Sequence, residues 1–188
     1  MKKRYKLTID GKKSKLKAIA LTPNPAIEVL AEAFNKSERF AKVDETKYQL
    51  FAPAMIPDLV IPRIDNQTKE EYEVVFDAQA IEACCKQWMK DGLNSKLNFN
   101  HTATGVDAYV FQSFITDNTT GVQYKDYPNG TWIIGVQCLD KEAFDYYKKE
   151  GIGFSVEGDF AFEEVFNAIQ EDVDGRITNI LNKIKKYK

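Results

Sequence analysis

Histidine is nearly absent from this chain: the sequence holds one, His101. A lone imidazole cannot complete a Cys/His zinc cluster, and the three cysteines form no Cys-x-x-Cys pair. Cys84 and Cys85 are adjacent in a helical pattern and point to different sides of that helix. With Cys138 they read as small core residues in a reducing compartment. No apolar run reaches the roughly 18 residues of a membrane-spanning helix. The basic start is followed by Leu7-Thr8-Ile9-Asp10-Gly11, too short and too polar for the apolar stretch of a signal peptide. Neither sign of charge is in excess, the net value being -2, and no compact basic face is evident. Nucleic acid is therefore not an expected partner. The two ends are locally basic, at Lys2, Lys3, Arg4 and Lys6 and again at Lys183, Lys185, Lys186 and Lys188, and read as solvated termini. Asp117-Asn118-Thr119-Thr120-Gly121 lacks the ligand spacing and closing glutamate of a calcium loop. No metal and no cofactor is expected.

What is present suits one domain of 188 residues with a terminal appendage, long enough to bury a core without disulfides. Tyr5 to Ile9 and Lys15 to Leu21, with Asp10-Gly11 between them, predict a hairpin. Pro25 suits the first turn of a helix over Ala26 to Asn35. Arg39 to Phe51 is extended, and the proline-punctuated Ala54 to Pro62 is an edge strand or an extended crossing. Tyr72 to Phe76 is a strand. Asp77 caps a helix that ends near Asp91-Gly92, with Ile81, Cys84 or Cys85, Trp88 and Met89 as its apolar stripe. Lys96 to His101, Asp107 to Thr116, Thr131 to Leu139 and Ile152 to Phe162 are strands, and Asp140 caps a short helix between the last two. That last strand-helix-strand stretch looks like a parallel crossover. The whole predicts an α+β fold, a mainly antiparallel β-barrel or sheet with helices outside. Residues 1–162 form the domain. Residues 163–188 form an amphipathic helical segment that packs on it or docks elsewhere.

The chemistry centres on His101 and Ser155. A hydroxyl nucleophile needs a base that titrates near neutrality, and imidazole is the usual one. Ser155 lies in Gly153-Phe154-Ser155-Val156-Glu157-Gly158. By strand parity Phe154, Val156, Phe160 and Phe162 share the core face, while Ser155, Glu157 and Asp159 share the other. This differs from the nucleophile elbow of lipases, where the fifth position is glycine and a helix follows; here that position is Glu157.

Several segments, in order, resemble the XkdF-type prohead proteases of tailed phages, which group with the herpesvirus assemblin-like serine proteases. Asn24-Pro25-Ala26-Ile27-Glu28 resembles the family's "NPAIE", and Ala52 to Asp58 its "GPAMIPD". Glu71 to Phe76 resembles "EYYVVF", and Asn98-Phe99-Asn100-His101 the segment ending in the family's histidine. Asn129 to Val136 resembles "GSWFVGV", and Gly153 to Gly158 the nucleophile strand "GFSIEG". Together these span roughly residues 20–162.

The resemblance implies a capsid-maturation serine endopeptidase with an assemblin-like barrel. Ser155 is the implied nucleophile and His101 the implied base. Scaffold and major capsid protein are the implied substrates, a homodimer the implied association, and the prohead interior in the infected bacterium the implied location. One position departs from the pattern. The family's strand after the histidine opens on glutamate in "ES(W/F)I", where this chain has Gln112-Ser113-Phe114-Ile115. Gln112 can orient an imidazole but cannot stabilise an imidazolium by charge. Asp107, Glu157 and Asp159 are the acids that could take its place. The alternative is a protease-derived structural protein of the capsid or virion with little or no activity.

Overall fold

The computed structural model describes residues 2–25 and 40–165. The helix expected over Ala26 to Asn35 lies outside the described residues, as does nearly all of the C-terminal segment. The fold is α+β and mostly strand. The strands are β1 (Lys3–Thr8), β2 (Lys15–Thr22), β3 (Lys42–Asp44), β4 (Gln49–Met55), β5 (Ile61–Ile64), β6 (Glu71–Val75), β7 (Leu97–Phe99), β8 (Ala108–Ile115), β9 (Trp132–Cys138), β10 (Gly153–Asp159) and β11 (Ala161–Glu164). Two α-helices are described, α1 (Ala78–Lys90) and α2 (Lys141–Lys149).

The strands form three sheets, in the orders β11-β1-β6-β5, β10-β2-β7 and β3-β4-β9-β8. Pairing is mainly antiparallel; β1 with β6 and β2 with β7 are parallel. The sheets do not close into the expected barrel.

Two local expectations are corrected. β1 and β2 are not a hairpin but belong to different sheets. β1 pairs with β11 and β6 and β2 with β10 and β7, while between them Asp10 Oδ1 accepts from the amides of Lys12, Lys13 and Ser14 at 2.8, 2.9 and 3.0 Å. β9, α2 and β10 are likewise not a crossover within one sheet, because β10 pairs antiparallel with β2 instead.

The core lies among the sheets and α1. Asp77 caps α1 by accepting from the Ala80 amide at 2.8 Å, and Gly92 follows the helix at φ 64°. Ile81, Cys84, Cys85 and Trp88 turn inward, but Met89 faces solvent, one position off the buried stripe. Trp88 meets Trp132 edge-on at 6.2 Å. Full burial of such side chains stabilises by about 1.5–3 kcal/mol each. Gln87 on α1 accepts from the Leu16 amide of β2 at 2.7 Å, tying the helix to the sheet that carries Ser155. On β2, Ile19 and Leu21 face the core, which leaves Ala18, Ala20 and Thr22 on the opposite face. Phe154 is buried as its parity requires, but Phe162 is exposed, because β11 leaves the sheet of β10 to pair with β1.

Candidate active site

The three-stranded sheet β10-β2-β7 brings the candidate residues together. Ser155 pairs with Ala20, Ala20 pairs with Asn98, and Glu157 pairs with Ala18. Partners across a ladder share a face. Ser155 and Glu157 therefore stand along one side of β2, and Asn98 stands along the other. Neighbouring strands are about 4.8 Å apart, so the flanking strands lie about 10 Å from each other. Alanine at the central positions leaves room for longer side chains to meet above β2. They do meet: Asn98 Nδ2 donates to Glu157 Oε1 at 2.7 Å.

His101 enters from the turn after β7. Asn100 and His101 both have positive φ, 51° and 58°, and the Thr102 amide bonds the Phe99 carbonyl at 3.1 Å. Two left-handed residues in succession make a turn of the I′ kind, in which the second position normally favours glycine. Histidine there carries backbone strain, an arrangement found repeatedly at functional sites. The turn is secured on both sides. The Asn100 amide bonds the Leu21 carbonyl at 2.8 Å, and Thr22 Oγ1 donates to Asn100 Oδ1 at 2.8 Å.

From that turn the ring reaches Glu157, with His101 Nδ1 2.9 Å from Glu157 Oε1. A carboxylate only accepts, so Nδ1 carries the proton. In the neutral ring Nε2 then holds the lone pair, as a general base requires. The imidazole is 40% exposed and the Glu157 side chain 28%. Ser155 is only 6% exposed. Among the described residues no hydrogen bond joins Ser155 Oγ to His101. Catalytic hydrogen bonds often tighten only when substrate is in place.

The other candidate acids lie elsewhere. Gln112 is exposed on β8, the edge strand of a different sheet, opposite Gly135, and its side chain has no hydrogen bond among the described residues. Asp159 is paired with Lys17 at 2.7 Å, and exposed Asp107 precedes β8, its carbonyl accepting from the Leu139 amide. Glu157 alone of these acids contacts His101. Asn98 was not singled out from the sequence. No local sequence pattern signals it, because its contact with Glu157 follows from the register of β7 and β10 on β2.

Among the described residues no cluster of three or more His, Cys, Asp or Glu could hold a metal ion, and no helix is long and apolar enough to cross a membrane. No family model matches the chain, and neither a curated protein nor a solved structure matches it.

Proposed function

We propose that this chain is a serine endopeptidase acting in phage prohead maturation, with Ser155 as nucleophile, His101 as general base and Glu157 as the acid behind the base. The observation that carries the reading is the contact between His101 Nδ1 and Glu157 Oε1, 2.9 Å long, with Glu157 on the strand and face that bear Ser155. In this reading Ser155 Oγ attacks the scissile carbonyl while its proton passes to His101 Nε2. Glu157 stabilises the imidazolium that forms. His101 then returns the proton to the leaving amine nitrogen, and water hydrolyses the acyl-serine by the same steps. Glu157 supplies the negative charge that Gln112 lacks.

The substrates belong to the proposal as scaffold and major capsid protein propeptides, the location as the prohead interior, and the association as a homodimer. An assemblin-like fold is part of the same reading, with its strands in three sheets and β10 beside β4 across two of them.

The reading is tested by co-expression with the neighbouring scaffold and capsid proteins, comparing wild type with Ser155→Ala by intact mass. Fragments in wild type that vanish in the variant are expected. Identical masses would favour the second reading, a structural descendant of the protease. The burial of Ser155 and its lack of a hydrogen bond to His101 are the observations on that side.

A further inference from the structure

Glu157 Oε1 receives two donors, His101 Nδ1 at 2.9 Å and Asn98 Nδ2 at 2.7 Å. The Asn98 amide has only one workable orientation there. Flipped, its Oδ1 would face the carboxylate, acceptor against acceptor. The orientation that satisfies Glu157 leaves Asn98 Oδ1 buried with no partner, one of two such side-chain atoms among the described residues. An unpaired buried acceptor costs stability, and an apolar side chain on β7 would not incur that cost. The cost is retained together with a single contact, the one to Glu157.

We propose that Asn98 is a positioning residue that locks the Glu157 carboxylate toward His101 and so fixes the imidazole in the Nδ1–H tautomer. Asn98 acts through Glu157 and His101. Its effect on rate rests on the protease reading, whereas its effect on the ring does not. Three features place the lock: Asn98 on β7 pairs with Ala20, Glu157 on β10 pairs with Ala18, and the alanines leave the space in which the diagonal contact forms. Without the amide, Glu157 keeps one side-chain partner, an imidazole on an exposed turn, and the carboxylate can swing toward solvent.

Because His101 is the only histidine, its ring nitrogens give unambiguous 15N NMR signals in the full chain. The experiment records tautomer and titration midpoint for wild type, Asn98→Ala, Asn98→Asp and Glu157→Gln, alongside Ser155 labelling by a fluorophosphonate. The wild-type neutral ring is expected as the Nδ1–H tautomer. Asn98→Ala should move the population toward Nε2–H, as Glu157→Gln does, and slow labelling about tenfold. Asn98→Asp sets a second carboxylate against that of Glu157 in place of the amide donor, and should loosen the ring's tautomer as Asn98→Ala does. Asn98→Ser serves as the deletion if Asn98→Ala does not fold. A folded deletion with wild-type tautomer and midpoint would overturn the lock. A tautomer that depends on Asn98 in a chain whose Ser155 is never labelled would uphold the lock and defeat the protease reading, so the two fail separately.

Discussion

Glu157 and His101 belong to elements distant in sequence, yet Glu157 Oε1 sits 2.9 Å from His101 Nδ1 because β2 holds β10 on one side and β7 on the other. In the proposed triad the acid thus comes from the same strand as Ser155. Removing its charge while keeping its shape, by Glu157→Gln, should lower kcat on the order of 10²–10⁴-fold, as loss of a triad carboxylate does. Gln112→Ala, on the edge strand of another sheet, should leave kcat/KM within about threefold, the usual outcome for a surface change away from the site. Steady-state kinetics on a peptide spanning the cleavage site check both. An equal loss in the two variants would return Gln112 to the site.

His101 sits at φ 58° in a turn position that favours glycine. His101→Gly relieves left-handed strain while adding freedom to the unfolded chain, two effects of about 1 kcal/mol and opposite sign. Stability should stay within about 1 kcal/mol of wild type while activity disappears. Urea unfolding, together with the peptide assay, separates these effects. A large loss of stability would mean that the ring is held for structure.

Ala20 is fully buried and lies between Ser155 and Asn98 in the ladder. Ala20→Leu should cost about 1–3 kcal/mol through overpacking. It should also part Asn98 from Glu157 and abolish Ser155 labelling in protein that remains folded. Retained labelling would mean that the space above β2 is not what assembles the site.

Burial pushes the thiols of Cys84 and Cys138 up to about 12, and raises that of Cys85 as well. The native state holds these protons more tightly than the unfolded state. Their contribution to stability is therefore complete below the ordinary thiol range, near 8.5, and is lost as pH rises from there toward 12. At pH 8 iodoacetamide should leave the folded protein unmodified and add three adducts after denaturation, one per cysteine. Rapid alkylation of folded protein would contradict the burial.

Much of this architecture was legible in local pattern. The Asp77 cap, the Ile81–Trp88 stripe and the Gly92 stop all rest on short-range chemistry and appear in α1 where expected. The same holds for α2, capped by Asp140. What failed was long-range. Asp10-Gly11 reads as a hairpin turn, yet β1 finds β6 and β11 while β2 finds β7 and β10, in separate sheets. The helix between β9 and β10 reads as a crossover, yet β10 finds β2. The site divides in the same way. His101 and Ser155 stand out in sequence by scarcity and setting. Choosing Glu157 among four candidates for the third position requires the register of β10 on β2 and of β2 on β7, and no local pattern encodes it. Asn98 depends on the same register, since its meaning lies in what it reaches across β2.

The proposed nucleophile, Ser155, is best tested by fluorophosphonate labelling of the purified chain, read by intact mass and peptide mapping. Wild type should gain one probe adduct, mapped to Ser155. Ser155→Ala should gain none, and His101→Ala should label at a small fraction of the wild-type rate. An unlabelled wild type, or labelling that persists in Ser155→Ala, would contradict a Ser155–His101–Glu157 hydrolase.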